Sequence, residues 1–322
     1  MKQKKWLCVL LALLLLLSGC GKKPQVEPED PGNDPGESGG ESETAAITSI
    51  VYNNDTALTR FSCGEDGRWF WTDDVNFPLD QSYVLRILEL LADISDVAAT
   101  KTAGEDTEDG AVEEDQPDYG LSDSHRTLTV TDSDRQETVY QVGSCVDGIL
   151  YLGLLNEEQT GGTVCCASGE LMDALSRNIF SMAILPTMPE LTMENVQSVK
   201  LGGGSSGEII LQGSEKGWIH AGNDVTEQVT ALLAALSALQ VESCVDFAPS
   251  AGVAALCGLD QPRAVVGVSY TNEVSKTAEL SVCVGGARDG GGVFITLNGE
   301  DTVYQVSESA VQPLINIVNS DI

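Results

Sequence analysis

The sequence predicts an α+β fold of two tandem related copies, each an antiparallel sheet of short strands with one long and one short helix. Three observations predict it. Short runs rich in β-branched residues recur between turns of Gly, Asp and Ser, as hairpins require. Two longer segments instead carry apolar residues at spacings of three and four, the period of a helix with one buried face. The same order of elements then recurs in the second half of the chain.

Length and charge bound the rest. The chain has 322 residues with 49 Asp and Glu against 17 Lys and Arg, a formal net charge of -32. That balance excludes an ordinary nucleic-acid binder, whose phosphate contacts need clustered Lys and Arg. Hydrophobic residues at 42% suit a folded protein, and the length suits about two domains of ~100–200 residues. A single long apolar run excludes a multi-pass membrane protein.

That run opens the chain. Met1–Lys5 is basic, and Trp6–Leu17 is an apolar stretch of 12 residues. It is too short for a bilayer core, which needs about 20, and has the length of a secretory signal. It ends Leu17-Ser18-Gly19-Cys20, and all three regions resemble bacterial lipoprotein precursors. The resemblance implies removal of residues 1–19 and a diacylglycerol thioether on Cys20. Two acyl chains give stable anchoring where one gives marginal binding. The mature chain then carries 14 bases against 49 acids, a net of -35, and anionic head groups repel it. Gly21 after the cysteine gives no signal for inner-membrane retention. The expected address is extracytoplasmic, lipid-anchored to the cell membrane, at a Gram-positive surface.

Residues 20–46 hold the lipidated cysteine and an acidic, Gly/Pro/Ser-rich linker without apolar periodicity, expected to be a disordered tether. Its root-mean-square span is roughly 28 Å.

Repeat domain 1 is expected over 47–185 and repeat domain 2 over 190–322, with Pro186 and Pro189 marking the crossing. The opening strands are Ile47–Tyr52 and Leu58–Cys63 in the first, Val196–Leu201 and Glu208–Gln212 in the second. A tryptophan strand follows in each, around Trp69 and Trp71 and around Trp218. Next come helices over Asp80–Val97 and Asp224–Leu239. Val84, Ile87, Leu88, Leu91 and Ile94 form one apolar stripe; Val225, Val229, Leu232, Leu233, Leu236 and Leu239 form the other. Asp80 and Asp224 are the expected N-caps, because their carboxylates accept from free N–H groups of the first turn. An acidic insert, 101–118, precedes Tyr119-Gly120-Leu121; the second copy has Cys257-Gly258-Leu259.

The remaining strands are expected near Arg126–Thr131, Glu137–Val142, Ile149–Leu154 and Thr163–Ala167, and near Ala264–Tyr270, Ala278–Val284, Gly292–Leu297 and Thr302–Val306. Val142-Gly143 matches Val284-Gly285. Helices at Gly169–Ile179 and Ser307–Val318 close the copies. The offsets are 147 residues at the tryptophan, 138 at Gly-Leu and 142 at Val-Gly, one plan with different loop lengths.

Trp71 through Pro78, the helix to Val97, Tyr119-Gly120-Leu121, and Val142-Gly143 followed by Tyr151-Leu152 resemble the bacterial "domain of unknown function 4340" family. The resemblance covers 47–180 well and 196–318 more loosely. It departs at Cys257, where the family has an aromatic residue, and at the acidic insert. It implies no activity. It implies an envelope lipoprotein, in some cases associated with ABC-type exporters.

The search for chemistry returns little. His125 and His220 sit in no recognised motif. Cys63, Cys145, Cys165, Cys166, Cys244, Cys257 and Cys283 remain after the signal segment and Cys20 are set aside, an odd number, so one at least is unpaired in a monomer. Bridges among the others and buried thiols are both open readings. No C-x-x-C spacing occurs. Gly104–Asp118 holds eight acids in 15 residues, without the order of a calcium loop. Gly202–Gly207 lacks the Gly-Lys-Ser/Thr ending of a phosphate loop. Trp69, Trp71 and Trp218 are the candidate binding face, with core packing as the rival reading. No catalytic residue, metal or cofactor is expected. The expected role is a non-enzymatic, membrane-anchored binding or scaffold lipoprotein for an envelope partner, with an ABC-type transporter as one candidate. The alternative is capture of a small molecule, glycan or cation between the two repeats.

Overall fold

Alternation along each strand gives a buried and an outer face. In β1 (Ile47–Asn53) Ile50 and Tyr52 are buried and Val51 between them faces outward. These elements belong to a computed structural model that describes residues 45–96, 119–155, 161–203, 206–214, 217–250 and 252–320. The signal segment, Cys20, the linker to residue 44 and the insert 101–118 lie outside the described residues.

The first sheet contains β1 with β2 (Leu58–Cys63), β3 (Trp69–Trp71), β4 (Ser95–Asp96), β5 (Thr127–Asp132), β6 (Glu137–Val146), β7 (Ile149–Leu155) and β8 (Gly161–Ser168). Its order is β3-β2-β1-β5-β6-β7-β8-β4. The second contains β9 (Val196–Gly203), β10 (Ser206–Ser214), β11 (Gly217–His220), β12 (Asn223–Asp224), β13 (Val241–Asp246), β14 (Ala264–Thr271), β15 (Thr277–Ala287), β16 (Val293–Leu297) and β17 (Val303–Val306). Its order is β12-β11-β10-β9-β14-β15-β16-β17-β13. Apart from the added β12, the two orders are the same. Every pairing is antiparallel, which makes the fold α+β with two antiparallel sheets.

Helix α1 (Gln81–Ala92) follows β3. The Asp80 carboxylate caps it by accepting from the Ser82 N–H. It stops five residues short of Val97, because Ser95 and Asp96 leave the helix to pair with Cys166 and Cys165 of β8. Helix α2 (Gly169–Leu175) closes the first sheet, and a 3-10 turn (Ile179–Met182) follows. Helix α3 (Thr226–Ser237) is capped by Val225, without a side-chain bond. Asp224 lies one residue too early and falls in β12, yet its carboxylate still accepts from the Thr226 N–H at 3.0 Å. A further helix, α4 (Val253–Leu256), precedes the Gly-Leu element, and α5 (Glu308–Val318) closes the second sheet. At 11 residues α5 nearly equals α3 at 12, so the second copy does not end on a short helix.

Both apolar stripes face inward. Val84, Ile87 and Leu91 of the first are buried, as is Leu90, while Leu88 and Ile94 are half-buried. All six stripe residues from Val225 to Leu239 are buried. Helix α1 packs on α2 and α3 on α5, and the buried residues of both sheets join one connected core.

The shared motifs form a lock in each sheet. The Gly120 turn, at φ +69°, sets its neighbour's carbonyl against β6, where the Ser144 N–H donates to Tyr119 O at 2.8 Å. The Gly258 turn, at φ +66°, does the same, and the Gly286 N–H donates to Cys257 O at 2.7 Å. The pairing register shifts at both docking points, between Val142 and Cys145 and between Val284 and Ala287. Each shift is a bulge that turns a backbone N–H out of the ladder toward the docked turn.

Segment 179–191 joins the sheets. Met182 O accepts from the Asp80 N–H at 2.8 Å, and the Ile184 N–H donates to Pro78 O at 2.7 Å. Farther on, Thr187 bridges to Gln240 and the Leu191 N–H donates to Ser237 Oγ at 2.9 Å. Aromatic rings fill the joint: Phe77 meets Phe247 edge-on with centroids 5.3 Å apart, and Phe180 lies 6.3 Å from Phe77. The described residues from Ala45 onward form one compact unit.

Candidate functional site

The three tryptophans do not form an exposed face. Trp69 and Trp218 are 4% and 3% exposed, both in the core. A large indole contributes most when its apolar area leaves water, and these two strands lie under the start of a helix. Trp69 pairs with Cys63 and Trp218 with Gly213, at corresponding register positions. The counterpart of Trp218 is therefore Trp69, at an offset of 149, and not Trp71 at 147. Trp71 is half-buried, with its ring edge-on to Phe77 at 5.4 Å and to Phe180 at 6.3 Å.

The other candidates are held in separate places. His125 is exposed ahead of β5, and His220 sits in β11 of the other sheet. All seven cysteines of the described residues are free thiols. Burial, then a hydrogen bond to Asp96, pushes the Cys165 thiol up to about 11. Burial, then the Asp246 charge, pushes Cys244 up to about 11. Such thiols stay protonated and unreactive at neutral pH. Adjacent Cys166 lies on the opposite strand face, against Ser95. Asp73 pairs with Arg60 at 2.9 Å, and Asp132 accepts from the N–H groups of Asp134 and Gln136, which are turn contacts. Of Gly202–Gly207, residues 204 and 205 lie outside the described residues; the rest run in β9 and β10. Among the described residues no three His, Cys, Asp or Glu are grouped to hold a metal.

Concave surface concentrates elsewhere. A cavity of about 410 Å³ lies at the joint, lined by Asp80, Tyr83, Phe180, Glu242 and Ser243 among others. A second, about 420 Å³, lies between α1 and α2, where Arg86 is paired with both Glu89 and Glu170 and Arg177 stacks on Tyr83.

Three more depressions adjoin one another on the second repeat. The first, about 590 Å³, lies between Glu190 and the β14–β15 hairpin with Tyr270 and Glu273. The second, about 390 Å³, shares Pro189, Glu190, Tyr270 and Glu273 with it and reaches Glu279 and Asn298. The third, about 550 Å³, shares Glu279, Leu280 and Asn298 and runs over the outer face of the sheet to Ile210. Together they make one trough. Its walls are set by fixed backbone: the Asn272 carboxamide accepts from the Val274 and Lys276 N–H groups, and segment 179–191 is pinned by Thr187 and Leu191. Glu190, Glu273 and Glu279 are exposed along it, and none is ion-paired among the described residues. Lys200, in the floor, is paired with Glu208 at 2.7 Å. Sequence reasoning missed this trough, because its residues come from five strands and the segment between the two sheets. The glycine at 267 was the one signal within a strand.

A family model described as "Domain of unknown function (DUF4340)" matches residues 69–262 and 222–320. The two overlapping matches on one chain agree with the repeated strand order. No curated protein and no solved structure matches the chain. Among the described residues no helix is long and apolar enough to cross a membrane.

Proposed function

The chain belongs to the family described as a domain of unknown function (DUF4340), and on that premise we propose a lipid-anchored, extracytoplasmic binding protein without enzymatic activity. It holds an envelope protein, an ABC-type transporter being one candidate class. One observation carries the reading. The features shared by the two copies, the tryptophan strand, the Gly-Leu turn and the Val-Gly bulge, all make backbone-to-backbone or core contacts. What the duplication repeats is thus a frame, and a frame with exposed grooves is a binding device. The N-terminal signal, the Cys20 lipid and the acidic linker supply tether and reach.

The test is a crosslink and pull-down from cells with Cys20 intact, read by mass spectrometry. Reproducible recovery of one membrane transporter or wall enzyme supports the reading; recovery equal to a tether-only control rejects it. Cys20→Ser is expected to release the protein from the membrane fraction, and unchanged attachment would reject the lipid anchor.

The cavity at the joint supports a second reading, capture of a small ligand between the repeats, since Asp80, Tyr83 and Glu242 converge there from both sides. A screen of glycans, cations and small metabolites by thermal shift separates the two, because a bound ligand raises the melting temperature by mass action.

A further inference from the structure

The outer face of the second sheet has a row of residues that runs straight across it. Ile210 is opposite Lys200, Lys200 opposite Gly267, and Gly267 opposite Ser281. Ser281 is joined in turn to Asn298, donating its N–H to Oδ1 at 3.1 Å and accepting the Asn298 N–H at 2.8 Å. Five positions at a strand spacing of about 4.8 Å make a floor roughly 19 Å long, the span of about six residues of extended chain.

The middle of that floor has no side chain. A Cβ at Gly267 would meet only the Lys200 Cβ, at 3.5 Å, which is an ordinary contact. Gly202, on the same face, would meet nothing within 4 Å. Neither glycine has a positive φ. Packing and backbone conformation therefore require no glycine at either position, although glycine weakens a strand interior. A central-strand glycine of this kind marks a place where another backbone comes close. The same row in the first repeat runs Arg60, Val51, Thr129, Val139 and Leu155, with Thr129 where the second has Gly267. The bare floor belongs to the second repeat alone.

Charge identifies the occupant. The trough continues from this floor past Glu279 to Glu273 and Glu190 beside Tyr270. Among the described residues that line it, Lys200 is the one base, and it is paired with Glu208. The carboxylates are spread along the trough rather than gathered, which suits several cationic groups on one chain and not one metal ion.

We propose that this trough takes an extended, lysine- or arginine-bearing segment of a partner protein. The segment's backbone lies over Gly267, Ile210 and Val265 give it apolar contact, and its cationic side chains reach Glu279, Glu273 and Glu190. This names the partner class for the binding role proposed above and rests on that reading.

The probe is a fluorescein-labelled acetyl-(Lys-Ala)₅-amide decapeptide, with (Glu-Ala)₅ as its acidic control, titrated by anisotropy against the full chain in neutral detergent. The wild-type chain is expected to bind the lysine peptide, more weakly as salt is raised, and to leave the acidic peptide free. Gly267→Val fills the floor without changing charge. It is expected to weaken binding roughly tenfold while the melting temperature stays level or rises. Gly267→Ala, smaller, serves in its place if the valine variant melts early. The triple variant Glu190→Gln, Glu273→Gln, Glu279→Gln is expected to weaken binding as well. No binding by the wild type, equal binding of the acidic peptide, or full binding by the Gly267 variants would overturn the proposal. Diffuse attraction to an acidic protein would survive the Gly267 change, which is why that variant decides. In the cellular crosslink, loss of the partner from Gly267→Val alone supports the trough. Recovery by both chains leaves the binding role standing and removes the trough from it.

Discussion

Gln81 completes the edge of the strand that carries Trp69. Its Oε1 accepts from the Trp69 N–H at 2.8 Å, and its Nε2 donates to Trp69 O at 3.0 Å. The first residue of one helix thus stands in for a neighbouring strand. In the second sheet the first residue of α3 does part of this work, since the Trp218 N–H donates to Thr226 Oγ1 at 3.1 Å. Thr226 in turn bonds to Asp224 and holds that carboxyl below its ordinary value.

Gln81→Ala leaves the backbone N–H and C=O of a buried residue without partners. The expected cost is about 1–3 kcal/mol, the usual penalty for an unmade buried hydrogen bond. Urea denaturation checks it through the midpoint at constant slope. A change under half a kcal/mol would mean that water replaces the side chain.

Gly143→Ala places a Cβ 2.5 Å from Tyr119 O, and Gly285→Ala presses likewise on Cys257 O. Both neighbours are backbone and cannot swing aside. Each substitution is expected to cost about 1–3 kcal/mol as the Gly-Leu turn is pushed off its bulge. Gly202→Ala, with nothing within 4 Å, is the control and stays within about half a kcal/mol. Equal effects at all three positions would remove the lock from the account of the fold.

Thiol reactivity follows burial. Cys145 is exposed, whereas Cys165 and Cys244 are buried with thiols held near 11. N-ethylmaleimide at neutral pH is expected to modify Cys145 first and to reach Cys165 and Cys244 only on unfolding, as followed by peptide mass mapping. Early modification of either buried thiol would contradict their placement.

The same two thiols contribute to an alkaline limit, alongside Cys257, Cys283, Tyr140 and Tyr304, which burial also pushes up. The ordinary value of the two thiols is 9.0, so between pH about 9 and 11 the unfolded chain has released protons that the native chain retains. The unfolded state binds fewer protons there, and stability falls as pH rises through that window and is whole below it. The double variant Cys165→Ala, Cys244→Ala is expected to flatten the slope in denaturation series from pH 8 to 11. An unchanged slope would trace it to other groups.

Phe77 and Phe247 join the two repeats through edge-on rings. A double-mutant cycle of Phe77→Ala and Phe247→Ala is expected to give a coupling energy of about 0.5–1.5 kcal/mol. Zero coupling would mean that the joint is held by the 179–191 segment alone.

Short-range pattern made most elements readable. Leu58–Cys63 is the strand its residues imply, and the stripe from Val225 to Leu239 is buried throughout. The order of motifs, with the resemblance they carry, points to the duplication, and the two matching strand orders agree with it. Boundaries were less readable. Ile94 continues the helical period of α1, yet Ser95 and Asp96 complete a sheet edge, because the open edge of β8 offers hydrogen bonds that local pattern does not register.

The sequence by itself determined periodicity, turn positions, charge and the repeat, since each depends on residues close along the chain or on their order. Only the tertiary structure decided that Trp69, not Trp71, answers Trp218, that both indoles are core, and that the Gly-Leu turn docks on the Val-Gly bulge. It alone assembled the trough over Gly267, from strands whose register is set by long-range pairing. Which faces meet depends on strand register and on what the core buries, and both are settled by contacts between residues far apart in the chain.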